Sequence, residues 1–272
     1  MGVRTLLRVL KSGLKFRHFC VLISAVLTAF LFLSIVSLFL FPKVPAIVEC
    51  LKSKEIIYSI KLSVLTSAIS TFLVMSTAIP VAYSLARYAF PGKSLVKSVI
   101  DLPIAFPELV LGLCLLIFLG NYLKAGIVFT KPAIVVAQYF TAFPYAARIL
   151  YSTFENIDER LEFASRSLGY GEFETFAKVT IPMAREGIFA SSIISFSRCM
   201  GTFGAVLVLA GGMYMNTETL PITLYLNLSY GNLNMAVTSG IVLIILSFVA
   251  IFVFEVLDSR KASERTGAGG WS

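Results

Sequence analysis

Charged residues are scarce in this sequence. Asp, Glu, Lys and Arg together make up 14% of the 272 residues, whereas soluble domains average about 25%. Hydrophobic residues make up 57% of the chain, and the mean hydropathy is +0.86. Such a chain cannot cover a globular surface with charge, and its apolar residues are gathered in long uncharged runs. The composition excludes an ordinary soluble domain and indicates an all-α integral membrane protein.

The sequence also has little that could bind a metal or catalyse a reaction. His18 is the one histidine, and the four cysteines, at positions 20, 50, 114 and 199, are widely separated. This spacing excludes the short ligand pairs of a zinc site and indicates no disulfide framework. No serine stands in a nucleophile-elbow context, and the apolar runs contain no paired carboxylates. We therefore expect neither a metal site nor an enzymatic activity.

One segment, Phe90-Pro91-Gly92-Lys93-Ser94, ends like a phosphate-binding P-loop. The first glycine of that pattern would be residue 87, which is Arg87, and no strand pattern precedes it. We interpret the segment as a turn and expect no nucleotide on this chain. The net charge of +8 does not indicate a nucleic-acid partner either, because the basic residues follow the edges of apolar runs.

Six apolar runs are long enough to cross a lipid bilayer as helices, which takes about 20 residues. They are Phe19–Phe41, Leu62–Ala86, about Leu102–Leu119, about Ala133–Ile149, about Gly187–Gly212 and Met235–Phe254. The first run is too long for the core of a signal peptide, so we interpret it as an uncleaved span. Prolines in the second, third and fourth runs predict bends. Six spans place both termini on one side of the membrane.

The distribution of Lys and Arg predicts which side this is. With the N-terminus inside, most of the 23 basic residues lie in inner segments. The outer loops then contain only Lys43, Lys52, Lys54, Lys124 and Lys131. The positive-inside rule therefore predicts that both termini are cytoplasmic. We expect one transmembrane domain over residues 1–258 and a flexible cytoplasmic tail over residues 259–272.

Residues 213–234 form the longest outer connection. Leu220, Leu224 and Leu228 recur there at every fourth position. This spacing predicts a short amphipathic helix that lies against the other helices.

Residues 153–186, called the charged loop below, form the one long interval with dense charge of both signs. By the positive-inside rule the charged loop lies in the cytoplasm. A first short helix is indicated by apolar residues at helical spacing, namely Ile157, Leu161, Ala164 and Leu168. Gly169-Tyr170-Gly171 predicts the end of that helix and a turn. A second short helix is predicted over Glu172–Val179, ending near Pro182.

Two charged residues lie inside predicted spans, Glu108 in the third and Arg198 in the fifth. Each costs about 2.5–3.5 kcal/mol on insertion scales if it faces lipid. We therefore expect both to face the protein interior or a water-filled path. Gly201 and Gly204 beside Arg198 leave room for a neighbouring helix or a solute to approach the backbone. Two interpretations of Glu108 and Arg198 remain open: a structural ion pair between helices, and a role in a translocation path.

The charged loop resembles the coupling loop of the membrane-spanning permease subunits of ABC importers. The motif of that family is Glu-Ala-Ala, three residues, Gly, nine residues, then Ile, one residue and Leu-Pro. Anchored on Gly169, the downstream half of the motif is matched by Val179, Ile181 and Pro182. The upstream half departs, because Phe163, Ala164 and Ser165 take the Glu-Ala-Ala places. Glu162 lies one position before the place of the glutamate in the motif.

Two further stretches are similar to signatures of molybdate, tungstate and sulfate permeases. One is Leu102–Leu113, and the other comprises Phe203–Val206, Ala210–Gly212 and Thr217–Pro221. The resemblance implies a type I ABC importer permease-like fold in the cell membrane. It implies import of an oxyanion, most readily molybdate or tungstate, with sulfate or another small solute as the alternative. The implied partners are a second copy of the chain, a cytosolic ATPase dimer that binds ATP and Mg²⁺, and an extracytoplasmic solute-binding protein.

The resemblance also implies which residues couple this chain to the ATPase. They are Glu162, Phe163, Ala164, Ser165, Arg166, Leu168, Gly169, Tyr170, Ile181 and Pro182. Within this set we expect Phe163 to Tyr170 to dock, and Phe163 to supply a hydrophobic contact where the family uses charge.

A second set of residues is a hypothesis for the translocation path. It comprises Glu108, Arg198, Gly201, Thr202, Phe203 and Gly204. The family commonly has Glu where this chain has Thr202, four residues after the arginine, which allows an ion pair along one helix. We predict that Glu108 has replaced that glutamate as the partner of Arg198.

A secondary transporter or channel that works without ATP is the rival interpretation. It predicts coupling carboxylates at the membrane midplane and inverted repeats. The spans contain only Glu108, and the sequence shows no repeat. A structural membrane scaffold has weaker support still.

Overall fold

The computed structural model describes residues 3–42 and 44–267, and within these the side chains of residues 18–42, 45–250 and 252. The described residues form helices and no strand. The helices are α1 (Val3–Leu40), α2 (Val44–Leu51), α3 (Lys54–Arg87), α4 (Lys93–Ala105), α5 (Glu108–Ile117), the π-helical segment π1 (Phe118–Tyr122), α6 (Lys131–Glu155), α7 (Glu159–Ser167), α8 (Glu172–Thr175), the π-helical segment π2 (Phe176–Thr180), α9 (Ile181–Met183), α10 (Arg185–Gly201), α11 (Gly204–Ala210), α12 (Leu220–Ser229) and α13 (Leu233–Gly267).

Contacts within the chain divide it into two compact units, Met1–Glu49 and Cys50–Ser272. The single transmembrane domain predicted over residues 1–258 stays a prediction. Helix α13 also continues past Asp258 to Gly267, because no glycine or proline interrupts the sequence from Ile241 to Thr266. Residues 259–267 of the predicted tail are therefore helical, and residues 268–272 lie outside the described residues.

Four helices are long and apolar enough to cross a membrane, namely α1 over His18–Leu40, α3, α6, and α13 over Leu233–Ala250. Two helix pairs pass the same test only together. Helix α4 and the stretch Glu108–Tyr122 meet at a bend of 116°, and α10 and α11 meet at a bend of 57°. The described residues therefore contain four spans, or up to six if each bent pair is one span. The third and fifth predicted runs are interrupted rather than continuous.

The bend between α4 and α5 follows from the Phe106-Pro107 dipeptide. Phe106 is extended, with φ −87° and ψ 144°, as expected for a residue that precedes proline. Pro107 is the residue just before α5, where its missing N–H costs no intrahelical hydrogen bond. The chain turns sharply here because neither residue can continue the helix.

Helices α3, α6 and α10 form the centre of the second unit. Their shared surface is lined with fully buried small residues, including Ala78, Ala82, Ala142 and Ala146. Small residues let membrane helices approach closely and gain van der Waals contact. Gln138 of α6 joins the three helices, because it accepts a hydrogen bond from Ser70 Oγ at 2.9 Å and donates one to the Cys199 carbonyl at 3.1 Å.

Helix α5 packs directly against the short helix α11. A Cβ atom placed on Gly112 would lie 2.9 Å from both the Cα and the carbonyl oxygen of Ala205. A Cβ on Gly204 would lie 3.0 Å from the backbone nitrogen of Leu109. Glycine is required at these positions because the two backbones are in contact. Helix α11 is therefore fixed to α5.

The predicted helix in the outer connection is present as α12, but its buried face is not the leucine stripe. Leu220 is buried, whereas Leu228 is exposed. Thr223 and Asn227 are buried instead and bond to α3. The Thr223 hydroxyl lies 2.7 Å from Ser59 Oγ, and Asn227 Nδ2 donates to Glu55 Oε1 at 2.6 Å. Polar contacts set the rotation of this helix because α3 presents hydrogen-bonding groups there.

Glu218, in the turn before α12, is the most deeply buried carboxylate in this region. It is 1% exposed, and Oε2 accepts a hydrogen bond from the Met215 N–H at 3.2 Å. Burial, and secondarily the nearby Glu55 carboxylate, raises the pKa of Glu218 above its ordinary value. Ionised Glu218 therefore opposes folding of this turn.

Gly112→Ala should lower the stability of the protein, because the added methyl group overlaps the backbone of Ala205. Overpacking of this kind typically costs about 1–3 kcal/mol. Thermal unfolding of the protein in detergent measures the effect. Gly120→Ala is the control, since a Cβ there meets only Val128 at an ordinary 3.8 Å. Equal unfolding temperatures for the two variants would show that α5 and α11 are not in contact.

Glu218→Gln should stabilise the protein at neutral pH and not at acid pH. Between the unfolded pKa of about 4.3 and the raised folded pKa, the native state binds more protons than the unfolded state, so stability falls as the pH rises. Glutamine keeps an acceptor oxygen but cannot ionise. The unfolding temperature of the variant should exceed that of the wild type at pH 8, and the gap should close towards pH 4. A gap that widens on acidification would contradict this assignment.

Candidate functional site

The charged loop contains the two predicted short helices and the bend between them. Helix α7 begins where the Asp158 carboxylate accepts a hydrogen bond from the Arg160 N–H at 3.0 Å. It ends at Ser167, and the chain then turns at Gly169, whose φ of +95° is a conformation that glycine adopts at little cost. Helix α8 then begins with a hydrogen bond from the Gly171 N–H to Glu174 Oε2 at 3.2 Å. The local sequence therefore determines both helix ends.

Helix α7 turns a polar face towards the rest of the chain. Glu162 is only 4% exposed, and Ser165 is buried with its hydroxyl 3.1 Å from that of Thr175. A buried carboxylate must be paired and hydrogen-bonded to be tolerated. Glu162 is therefore the residue whose partners fix α7 in place.

The partners of Glu162 come from the end of α3 and from the segment after α8. Arg87 Nε lies 3.0 Å from Glu162 Oε1, and both side chains are almost fully buried. Thr180 Oγ1 donates to the same oxygen at 2.9 Å, and Tyr83 donates to Oε2 at 3.3 Å. Arg87 Nη2 also donates to the Ile157 carbonyl at 2.9 Å. Four segments of the chain therefore meet at one ion pair.

The opposite face of the charged loop is apolar and exposed. We call it the exposed apolar surface; its largest members are Phe163, Leu168 and Phe173, which are 60%, 80% and 79% exposed, and Leu161 and Tyr170 extend it. Burying such side chains is the main source of favourable free energy in protein association. A partner protein that covers this surface would gain that free energy.

Two residues of the predicted coupling set face inward in the structure, and the coupling role of the set stays a prediction. Glu162 and Ser165 are buried and hold the loop in position. Arg166 is half-buried beside Glu172, with Nη1 3.3 Å from Oε1. Pro182 is exposed, and Ile181 packs against the core of α3, α6 and α10. The sequence contains one signal for the pair that holds the loop in place: Arg87 is a charged residue at the end of an apolar run.

The second candidate site lies at the break between α10 and α11. Thr202 is extended there, with φ −64° and ψ 117°. Glu108 Oε2 accepts hydrogen bonds from the N–H groups of Phe203 and Gly204 at 3.2 and 3.1 Å. These are the first N–H groups of α11, which have no intrahelical partner. The carboxylate also compensates the partial positive charge at that helix end.

A pocket of about 360 Å³ opens beside this break. It is lined by Glu108, Ile193, Ile194, Ser197, Arg198 and Gly201. The Arg198 guanidinium lies 4.1 Å from the ring centre of Tyr145. The pocket contains a carboxylate and a guanidinium in a unit that is otherwise largely apolar.

The predicted ion pair between Glu108 and Arg198 is wrong. Both residues are described, and they line one pocket, but no salt bridge joins them. Glu108 bonds to the backbone instead, because the break in the helix exposes N–H groups closer to it. Three other residues of the predicted path do not line the pocket: Thr202 is buried and bonds to the Arg198 carbonyl, Phe203 packs on Tyr225, and Gly204 is buried against α5. Gly201 does line it, and its role in a path stays a prediction.

Glu162→Ala should destabilise the charged loop far more than Glu172→Ala. The first change leaves the Arg87 guanidinium buried without its main partner, which typically costs about 3–5 kcal/mol. The second removes an exposed pair worth about 0–1 kcal/mol. Hydrogen exchange over residues 157–181 measures the difference, and faster exchange is expected for Glu162→Ala alone. Equal exchange in both variants would show that Glu162 does not anchor the loop.

Comparisons with known proteins identify the family of this chain. The model of the family described as binding-protein-dependent transport system inner membrane component matches residues 78–263, which is more than half of the chain. The chain is 30% identical over 233 residues to the molybdate/tungstate transport system permease protein WtpB of Methanocaldococcus jannaschii, covering 81% of this chain and 92% of that protein. It is 31% identical over 218 residues to the sulfate transport system permease protein CysW of Synechocystis, covering 76% of this chain and 78% of that protein.

A solved structure supports the fold. The structure of a bacterial ABC transporter involved in the import of alginate matches with a TM-score of 0.77 at 16% identity, covering 94% of this chain and 99% of that one. The resemblance to this family and the membrane location predicted from the sequence are confirmed. The chain belongs to the binding-protein-dependent transport system inner membrane components, the multi-pass permease subunits of ABC importers, which are not themselves enzymes.

Proposed function

We propose that this permease subunit imports an oxyanion, with molybdate or tungstate as the first candidates, and that the charged loop receives the motion of a partner ATPase. The observation that carries this proposal is the unusual burial pattern of α7 and the residue after it. The charged Glu162 is buried, whereas the apolar Phe163 and Leu168 are exposed. If these apolar side chains were buried inside the chain, the loop would present no apolar surface to a partner.

The proposed topology has six spans with both termini in the cytoplasm. It is supported by the four single helices and two bent pairs, if each pair is counted as one span. It is also supported by the excess of Lys and Arg on the side that includes the charged loop. In this topology the charged loop faces the cytosol, where an ATPase is available.

The coupling role of the charged loop is supported by how it is attached. The buried pair of Arg87 and Glu162 joins α7 to the end of α3, and Ile181 packs on the helix core. A displacement of the exposed apolar surface by a partner would therefore move α3 and α10 as well. Packed helices of this kind transmit motion as a switch between discrete arrangements.

The proposed assembly contains two copies of this chain around one path, a cytosolic ATPase dimer that binds ATP and Mg²⁺, and a solute-binding protein outside. This chain itself would bind no nucleotide and no metal. Closure of the ATPases on ATP would pull the charged loops together and switch the path from inward-open to outward-open. The energy would enter through the exposed apolar surface alone.

Sulfate is the second substrate candidate, because the chain is about as similar to a sulfate permease as to a molybdate/tungstate permease. The greater coverage of the molybdate/tungstate relative, 92% against 78%, favours the metal oxyanions. These anions are alike in shape and charge. Binding measurements on the cognate solute-binding protein with molybdate, tungstate and sulfate distinguish them.

Replacing both Phe163 and Leu168 by Asp should strongly reduce co-purification of the ATPase. Charge at these positions removes the apolar contact and adds desolvation cost, and a loss of about tenfold or more is expected for two central contacts. The readout is the amount of ATPase retained on the tagged permease after membrane extraction.

The matched control is Tyr230→Asp, an equally exposed aromatic side chain in the connection between α12 and α13. This variant should retain the ATPase, since the proposed topology places Tyr230 outside. Normal retention by the Phe163 and Leu168 double variant would contradict the proposed docking surface.

A further inference from the structure

Arg198 has no carboxylate partner in the part of the chain that the structure describes. Its guanidinium lies over the face of the Tyr145 ring, 4.1 Å from the ring centre. A contact of this kind uses the flat face of the guanidinium and leaves its N–H groups, which point outward in the plane, free. Those N–H groups match the oxygen spacing of an oxyanion and can bind two oxygens at once.

Ser197, the neighbour of Arg198, contributes a second unsatisfied group. Its hydroxyl oxygen is buried and has no hydrogen-bond partner among the described residues. Ser197 and Arg198 line the same pocket of about 360 Å³. A buried hydroxyl without a partner is costly, so a ligand that accepts its hydrogen bond would relieve that cost.

Among the described residues that line the pocket, Glu108 is the one carboxylate, and its negative charge is already engaged. Its Oε2 accepts two backbone hydrogen bonds from the start of α11. The partial positive charge at that helix end offsets part of the charge of the carboxylate. Arg198 lies in the last turn of α10, where the partial negative charge of that helix end offsets part of its charge as well. No carboxylate pairs with it among the described residues, so an anion in the pocket would be drawn to the side of Arg198 and Ser197.

We propose that Arg198 and Ser197 form a contact site for a tetrahedral oxyanion within the translocation path. The Arg198 guanidinium would donate two hydrogen bonds to the anion, and the Ser197 hydroxyl, once its side chain rotates towards the pocket, would donate a third. Tyr145 holds the guanidinium flat so that these donors face the pocket. The part of the Glu108 charge that α11 does not offset would repel the anion and keep binding weak enough for release, which a conducting site requires. This inference rests on the proposed function, since it assigns a contact for the same substrate.

The test uses the complete importer, that is this chain with its ATPase and solute-binding protein, reconstituted in liposomes. Molybdate is the probe, and the readout is the amount of molybdate imported per ATP hydrolysed. Arg198→Gln should lower this ratio by about tenfold or more, because a charge-assisted bidentate contact is lost. ATP hydrolysis stimulated by the loaded binding protein is measured in the same vesicles, so that the loss of a contact with the anion is seen as less molybdate imported per ATP hydrolysed.

Graded variants separate contact with the anion from a structural role. Arg198→Lys keeps the charge but not the planar donor pair, so its ratio should lie between those of Arg198→Gln and wild type. Ser197→Ala should lower the ratio by about threefold. When sulfate is used in place of molybdate, the ratios of the variants should rank in the same order. The control is Lys61→Gln, which removes one positive charge from α3 outside the pocket and should leave the ratio unchanged.

The outcomes distinguish this inference from the proposed function. A wild-type ratio in Arg198→Gln, with normal import by the wild type, would overturn the contact site and leave oxyanion import standing. A wild-type complex that hydrolyses ATP but imports neither molybdate nor sulfate would overturn the substrate proposal and the contact site with it. Loss of stimulated ATP hydrolysis in Arg198→Gln would assign the residue to the structure of the switch instead, and this too would overturn the contact site.

Discussion

The ion pair between Arg87 and Glu162 is the interaction on which the position of the charged loop depends. It brings together the end of α3, the start of α7 through the Ile157 carbonyl, and Thr180 just before α9. A buried pair contributes little net stability over a hydrophobic contact, but breaking one side of it is costly. Its value here is therefore positional: α7 cannot rotate without leaving a charge unpaired. That constraint keeps the apolar side chains of α7 facing outward.

The same requirement, that buried polar groups be paired, explains the break in the fifth apolar run. In a bilayer an unpaired backbone N–H group costs several kcal/mol, so a helix can be interrupted only where the protein supplies partners. Glu108 supplies them for α11, and the close contact of Gly112 with Ala205 holds the two helices together. Helices α5 and α11 thus form one block, while α10 leads from the break to the charged loop. The pocket with Arg198 lies where these parts meet.

Composition and periodicity were sufficient to predict the membrane class, most helices and the bend at Gly169, because each depends on residues near one another in sequence. The rotation of α12 could not be read from its leucines, since Ser59 and Glu55 of α3 bind Thr223 and Asn227. The partner of Glu108 was missed for a related reason. The pairing of charges suggested Arg198, but the backbone N–H groups of Phe203 and Gly204 became available only when the helix broke, and no proline marks that break. Charged residues usually lie at the surface, so the sequence predicts an exposed Glu162. It is buried because it pairs with the buried Arg87.

The central claim is that movement of solute through this chain is driven by another protein's ATP hydrolysis. Uptake of molybdate and sulfate into liposomes tests it most directly, with the permease and the solute-binding protein present and the ATPase either included or left out. We expect uptake only when the ATPase and ATP are both present, and none when an ion gradient is the sole energy source. Uptake driven by a proton or sodium gradient without the ATPase would contradict it.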